Sequence, residues 1–214
     1  MLLAFDTATP RVTVAVADGT TVLAERRSEQ TMRHGEQLAP LIEAVLGDAG
    51  VDRTALAGIA VGVGPGPFTG LRVGLVTART LGLVLGIPVH GVCTLDVLAA
   101  EAAEAGAGGE FVVATDARRK EVYHASYDAQ GRRLDGPHVA RPAELTTDGP
   151  VVGQGAELYP EAFPHSRPPV LPSAGWLARL VAGALAAGEP LLPPEPLYLR
   201  RPDAAEPHRP KPVS

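Results

Sequence analysis

An apolar run and the alternation that follows it predict the first three strands of the chain. Residues 2–5 are apolar and end at Asp6, which is typical of a short buried strand. Valine alternates with threonine or alanine over residues 12–17, as in a strand with one buried face. A turn at Gly19 then predicts a hairpin to a third strand over residues 22–25.

The same pattern of strands recurs in residues 111–131. An apolar run ends at Asp116, a second strand begins at Val122, and a glycine turn closes it. A short strand over residues 151–153 and a helix over residues 174–187 complete this half of the chain. The repeat predicts an internal duplication, with one α/β lobe in each half.

Two helices and two further strands are predicted in the first half. The apolar positions of residues 33–47 recur at helical spacing, which indicates an amphipathic helix. A buried strand over residues 58–63 follows, then a helical pattern over residues 68–86 and a strand over residues 87–92. This order of elements is typical of an α/β lobe.

A loop rich in glycine and proline joins the strand at residues 58–63 to the second helix. The free N–H groups of a helix that begins after such a loop suit an anion or a close backbone partner. The loop is not a Walker P-loop, because it contains no Lys followed by Ser or Thr. It is also not a dinucleotide-binding loop, because Pro65-Gly66-Pro67 replaces the third glycine of that motif.

Small residues form one ridge of the second helix. Gly70, Gly74, Ala78 and Gly82 recur every four residues, and such positions lie in one row on a helix surface. Each interior glycine costs about 1 kcal/mol of helix propensity relative to alanine, so a close contact must offset it. The ridge can pack on the chain's own sheet or on a helix of another subunit, and its spacing leaves both interpretations open.

The chain is predicted to divide into two lobes with a connection between them. Residues 1–100 form the first lobe and residues 111–200 a smaller second lobe. Residues 101–110 are rich in alanine and glycine and are interpreted as a linker. Residues 201–214 are proline-rich and polar, which predicts a disordered tail.

Composition limits the possible functions further. The net charge of −5 argues against a dominant electrostatic grip on nucleic acid. The single cysteine, Cys93, excludes an internal disulfide and is typical of a cytoplasmic protein. Its apolar neighbours indicate a buried thiol rather than a nucleophile. No uninterrupted apolar run reaches the length of a membrane span, so no membrane partner is expected.

The turn after the first strand carries the main candidate chemistry. Asp6, Thr7 and Thr9 could hold a phosphate and orient a metal-bound water, or they could cap the turn with bonds to its backbone. Asp116 begins the equivalent turn in the second half, but the glycine that a second phosphate loop needs is missing. The second half of a nucleotide site is therefore poorly supported.

Metal and serine-hydrolase chemistry find no matching motif. His34 begins the first helix, and Leu38 stands four residues later, where a second metal ligand would have to be. No Gly-x-Ser-x-Gly elbow is present. The sequence therefore predicts neither a metal nor a cofactor, and no catalytic residue is assigned.

Several motifs taken together resemble the TsaB family, the small subunit of the bacterial tRNA threonylcarbamoyladenosine machinery. They are residues 3–9, His34, residues 64–74, residues 116–123 and residues 196–200. The resemblance covers most of the chain. It implies an α/β fold with two lobes duplicated from one another, as in actin, sugar kinases and Hsp70, with mixed sheets flanked by helices.

The resemblance also implies a scaffold role without catalysis. TsaB-like proteins pair with a larger homologue, TsaD, which carries the metal and transfers the threonylcarbamoyl group to an adenosine beside the anticodon. The ATPase TsaE joins that pair, and tRNA is reached only indirectly. A homodimer is expected when the partner is absent.

The family's shared four-helix interface implies roles for residues of the first two helices. The implied partner-interface residues are His34, Leu38, Leu41, Val45, Gly70, Leu71, Gly74, Leu75, Ala78 and Gly82. The resemblance makes Asp6, Thr7, Thr9 and Asp116 a degenerate phosphate loop.

Two other classes of function stay open at this point. One is an active small-molecule kinase or ATPase of the same superfamily, suggested by Asp6-Thr7 and residues 64–70. The other is a metallopeptidase, because the larger homologues were grouped with glycoproteases. The absence of a metal-ligand pair and of a nucleophile motif disfavours the peptidase.

Overall fold

The structure is a computed structural model that describes residues 1–29 and 33–200. The tail predicted at residues 201–214 lies outside these residues. Over the described part, the chain forms two five-stranded mixed sheets with helices packed on them. The expectation of mixed sheets flanked by helices is confirmed.

The first sheet lies in the N-terminal half. Its strands are β1 (Leu2–Asp6), β2 (Thr13–Asp18), β3 (Thr21–Arg27), β4 (Gly58–Gly62) and β5 (Val89–Val92), in the order β3-β2-β1-β4-β5. Strand β1 is antiparallel to β2 and parallel to β4, so that Leu3 pairs with both Val16 and Ile59. Every residue of β1 and β4 is buried, because the centre of this sheet is covered on both faces.

Two helices cover one face of this sheet. They are α1 (His34–Ala49) and α2 (Phe68–Leu85), and each ends at a glycine in the left-handed conformation, Gly50 and Gly86. Their inner sides join the apolar side chains of β1, β2 and β4 in one core. The N-terminus of α2 therefore lies close to the turn between β1 and β2.

The second sheet repeats the topology of the first. Its strands are β6 (Phe111–Asp116), β7 (Val122–Tyr127), β8 (Arg133–Ala140), β9 (Val151–Val152) and β10 (Ser166–Arg167), in the order β10-β9-β6-β7-β8. Strand β6 is antiparallel to β7 and parallel to β9, as β1 is to β2 and β4. The short helix α4 (Gln154–Leu158) follows β9. The two halves are thus a duplication, as the repeated pattern predicts.

The two halves exchange helices, which corrects the predicted domain boundaries. Helix α3 (Thr94–Glu104) belongs to the first half, but it packs in the core of the second sheet. Helix α5 (Ala174–Ala187) belongs to the second half and packs on the first sheet, opposite α1 and α2. Boundaries at residues 100 and 111 therefore do not separate the two cores, and the predicted linker at 101–110 begins inside α3.

Helix α2 is long and apolar enough to cross a membrane by length and composition alone. It has 18 residues, and their mean hydropathy is 1.3. One third of it is buried against the chain's own core, and a core helix of a globular protein meets the same criterion.

Candidate functional site

Asp6 lies at the end of β1, where a phosphate loop would need a free carboxylate. Its side chain is buried, and its two oxygens accept hydrogen bonds from the Ala8 N–H (2.6 Å) and from the Thr94 hydroxyl (2.7 Å). Gly62 makes room for it, since a Cβ there would collide with Asp6 Oδ2. Burial raises the pKa of Asp6, and the two hydrogen bonds counteract that rise only partly.

Thr7 connects the turn to helix α2. Its hydroxyl donates to the Gly70 carbonyl at 2.7 Å and accepts from the Gly74 N–H at 3.1 Å. A Cβ at either glycine would lie less than 3.0 Å from an oxygen of Thr7. The Thr7 hydroxyl is therefore already engaged within the chain.

The same contacts decide between the two interpretations of the small-residue ridge. Gly70 and Gly74 face Thr7, and Gly82 faces Val89 of β5. The ridge lets α2 approach the chain's own strands and turn. This face of α2 therefore packs within the subunit, which is the first of the two interpretations.

His34 holds the other end of the turn. Its Nε2 lies 2.7 Å from the Thr9 carbonyl oxygen, and the ring is buried against α2 near Gly70. A ring N–H donated to a carbonyl leaves that nitrogen unable to ligate a metal. Within residues 1–29 and 33–200, no group of three His, Cys, Asp or Glu side chains could hold a metal ion.

The equivalent turn of the second half is filled by its own side chains. Arg118, Arg119 and Lys120 all have left-handed backbone conformations, with φ of 62°, 55° and 60°. Non-glycine residues rarely adopt this conformation, which costs about 1 kcal/mol or more for each. Asp116 accepts from the Arg118 N–H at 2.8 Å and pairs with its guanidinium at 3.2 Å. The Asp116 carboxylate of this turn is therefore already paired within the chain.

The two turns face each other across the lobes and leave almost no room. The cavity between them measures about 10 Å³, which is about the space of one water molecule. Its lining includes Ala8, Thr9, Asp116 and Arg118. A nucleotide occupies several hundred Å³, so the space between these two turns is too small for one in this structure.

Two glycines, Gly153 and Gly155, lie at the start of α4. A Cβ on Gly153 or Gly155 would lie less than 3.0 Å from the backbone of Ala114 in β6. These glycines allow α4 to pack directly on the second sheet. They do not line the cavity between the turns, although Gln154 does.

Most of the implied partner-interface residues lie inside the subunit in this structure, and their role at a partner interface stays a prediction. Leu41 is half-buried, and the other nine are buried in the chain's own core: His34, Leu38, Val45, Gly70, Leu71, Gly74, Leu75, Ala78 and Gly82. The reason is that both helices direct their most regular apolar and small positions toward the sheet.

A different face of α2 is exposed and apolar. Phe68, Val76, Leu83 and Val84 are 43%, 62%, 84% and 74% exposed. Sequence reasoning missed these residues because it assigned the partner surface to the glycine ridge. The sequence contains a signal for them, because α2 is unusually apolar. Once its core-facing positions are assigned to the subunit's own core, the remaining apolar positions form a second stripe. Large side chains exposed together on one helix are typical of a binding surface.

Comparison with known proteins identifies the family. The profile of the family described as TsaD, tRNA N6-adenosine threonylcarbamoyltransferase, matches residues 21–172. The Escherichia coli protein named tRNA threonylcarbamoyladenosine biosynthesis protein TsaB is 30% identical over 219 residues, which cover 93% of this chain and 94% of that protein. The chain belongs to the TsaB family. An uncharacterized protein of Mycobacterium tuberculosis is 42% identical over 205 residues, covering 95% of this chain and 93% of its own length.

Solved structures agree with the TsaB assignment. The structure titled YeaZ from Pseudomonas aeruginosa is 31% identical, has a TM-score of 0.80, and matches over 92% of this chain and 99% of its own. The ethanolamine utilization protein EutJ from Carboxydothermus hydrogenoformans has a TM-score of 0.50 at 11% identity, over 83% of this chain and 88% of its own, which shows a shared fold alone. The duplicated actin-like fold expected for the TsaB family is confirmed.

Proposed function

We propose that this TsaB-family chain is a non-catalytic subunit in tRNA threonylcarbamoyladenosine biosynthesis. In this role it binds and activates a TsaD-like transferase together with a TsaE-like ATPase. The biosynthetic assignment is supported by the names of its TsaB relatives. The choice of partner is supported by the match of 152 residues, 21–172, to the TsaD profile, because homologous subunits often pair through equivalent surfaces.

The closed cavity between the two turns carries the non-catalytic part of the proposal. A space of about 10 Å³ has no room for the substrate of a kinase or an ATPase. Asp6, Thr7 and Asp116 would contact such a substrate, and each is already bonded within the chain. The kinase alternative would require these bonds to break.

The exposed face of α2 supports the scaffold part. A monomer with Val76, Leu83 and Val84 open to solvent exposes apolar area that a partner could bury. With that area buried, the subunit would position the transferase, and tRNA would contact mainly the partner. We also propose that the chain alone forms a homodimer through the same face. We propose the cytoplasm as the place of the reaction.

A reconstitution with one matched pair of variants tests the proposal. The chain is mixed with the TsaD-like protein of the same organism, and binding is measured by calorimetry. Val76→Glu places a charge on the exposed face of α2, and we expect it to weaken binding at least about tenfold. Leu134→Glu places the same charge at a similarly exposed site (53%) on β8 and should leave binding unchanged.

The catalytic claim has its own readout. With the TsaE-like ATPase and the remaining components present, tRNA nucleosides are analysed by mass spectrometry. We expect threonylcarbamoyladenosine only when both this chain and the TsaD-like protein are present. ATP turnover by the chain alone, or full modification without the chain, would refute the proposal.

A further inference from the structure

The last described segment of the chain, residues 192–200, runs from the first lobe to the second and is named the strap. At its start, Gly91 and Leu192 exchange two backbone hydrogen bonds of 2.8 Å and 3.1 Å, so the strap pairs with β5, the edge strand of the first sheet. Further on, the Leu197 N–H donates to the Val63 carbonyl at 2.8 Å. The Leu197 side chain packs against the apolar cores of both lobes, so the strap ties the two cores together.

The strap ends on the turn that closes the cavity between the lobes. Arg200 donates a hydrogen bond to the Ala117 carbonyl at 2.9 Å and forms an ion pair with Glu121. These two residues flank residues 118–120, which have left-handed backbone conformations. Arg200 therefore holds both ends of a strained turn in the second lobe, from a segment that is anchored on the first.

The strain in this turn is the reason that it needs such a hold. Three consecutive non-glycine residues in a left-handed conformation persist only where other contacts fix them. The Glu121 N–H donates to the Arg118 carbonyl and the Ala117 N–H to the Glu121 carbonyl, both at 3.0 Å. Asp116 adds its ion pair with Arg118. These bonds all lie within the turn, and the contacts of Arg200 connect it to the first lobe.

Two covalent connections also join the lobes. The chain passes from β5 to α3, in the core of the second lobe, at residues 92–94. It returns from β10 to α5, on the first sheet, at residues 167–174. Two such connections permit a hinge motion that would widen the cavity of about 10 Å³ between the turns. The strap is a third connection, and the hydrogen bond and ion pair of Arg200 hold its far end.

We infer that the strap is a latch, in which Arg200 fixes the turn at residues 118–120 and thereby keeps the two lobes closed on each other. When Arg200 lets go, the turn relaxes toward ordinary backbone conformations and Asp116 loses its fixed guanidinium partner. The lobes then open about the hinge. This inference involves no partner protein, so it stands or falls separately from the proposed function.

The sequence supplies a protease site at the latch itself. Lysine occurs only at positions 120 and 211, and Lys211 precedes Pro212. A lysine-specific protease that does not cut before proline therefore cuts the whole chain at one bond, between Lys120 and Glu121. A protease binds its substrate in an extended form, so this turn is cut only after it opens. The cleavage rate of the folded chain then measures the open fraction.

We expect Arg200→Ala to raise the cleavage rate at Lys120 about tenfold, because a hydrogen bond and an ion pair to a charged group are lost. Leu197→Ala leaves Arg200 and the turn unchanged and loosens the strap between the cores, and it should raise the rate about threefold or more. Arg179→Ala is the matched control. Arg179 also donates to a distant backbone carbonyl, that of Thr20 at 3.2 Å, but this contact lies within the first lobe. This control should be cut at the wild-type rate.

Spin labels on the two lobes measure closure directly. Leu83 on α2 and Leu134 on β8 are 84% and 53% exposed, so cysteines placed there accept labels, and the buried Cys93 does not. Electron paramagnetic resonance gives the distribution of distances between the labels. We expect one narrow distribution for the labelled wild type, and a broader one with a new population when Arg200→Ala is added.

Each outcome supports or overturns the latch. Faster cleavage of both strap variants, with a broader distance distribution, supports it. Cleavage of Arg200→Ala at the wild-type rate overturns it, and so does an unchanged distance distribution. Equal acceleration by Arg179→Ala overturns it too, because general loss of stability then explains the cleavage. Thermal unfolding of each variant verifies that it is folded. A failure to bind the TsaD-like protein would refute the proposed function and leave the latch untouched.

Discussion

Replacement of Gly74 by alanine tests whether the small-residue ridge is packed inside the subunit. A Cβ at this position would lie less than 3.0 Å from the Thr7 hydroxyl oxygen. Thr7 would have to move, and its hydroxyl would lose or stretch two hydrogen bonds. It donates one of them to the Gly70 carbonyl and accepts the other from the Gly74 N–H. Both bonds are buried, so no water replaces them without further movement.

The expected loss follows from three opposing contributions. Unsatisfied buried polar groups cost about 1–3 kcal/mol, and overpacking of a close contact costs a similar amount. Alanine gains about 1 kcal/mol of helix propensity over glycine. We expect Gly74→Ala to lower the free energy of unfolding by about 2 kcal/mol. For a chain of this size, that corresponds to a melting temperature lowered by about 4–8 °C.

Gly183 in α5 is the matched control, and thermal denaturation followed by circular dichroism is the assay. A Cβ at Gly183 meets no atom within 4 Å, and the residue is exposed. Gly183→Ala should therefore raise the melting temperature by about 2–4 °C through helix propensity alone. A Gly74→Ala variant that is as stable as Gly183→Ala would show that α2 does not pack on Thr7 in this way.

Two further predictions concern buried ionisable groups. Burial raises the pKa of the Asp6 carboxyl above its ordinary value. Between the ordinary and the raised pKa, the folded chain therefore binds more protons than the unfolded chain. The free energy of unfolding should consequently fall as the pH rises through that window. Asp6→Asn should remove this fall, which denaturant titrations at pH 4 to pH 8 would reveal; a pH dependence equal to that of the wild type would contradict it. Burial also raises the pKa of the Cys93 thiol to about 12. A disulfide reagent at pH 8 should therefore label Cys93 only after the chain unfolds. Rapid labelling of the native chain would instead show that the thiol is accessible.

The interlobe turns show how far local sequence can define a site. The absence of a glycine near Asp116 indicated that a second phosphate loop was incomplete. Only the structure shows what replaces it, because the ion pair of Asp116 with Arg118 depends on three consecutive left-handed residues. Composition does not predict that backbone conformation, since these are arginine and lysine residues.

The helix surfaces were predicted less well. Spacing alone identified the ridge of Gly70, Gly74 and Ala78, but the resemblance to the TsaB family assigned it to a partner. The structure places it against Thr7 and leaves Val76 and Leu83 exposed. A helix that is apolar on several sides does not reveal which side faces its own sheet.

The sequence by itself determined helices α1, α2 and α5, most of the strands and the duplication, because alternation and helical spacing depend on residues that are neighbours along the chain. It did not predict α3, part of which was interpreted as a linker. Only the tertiary structure decided that α3 and α5 exchange cores and that Asp6 is held by Thr94. Thr94 lies 88 residues from Asp6, and Gly70 lies 63 residues from Thr7. Contacts over such distances depend on how the lobes pack together, and local periodicity contains no information about that packing.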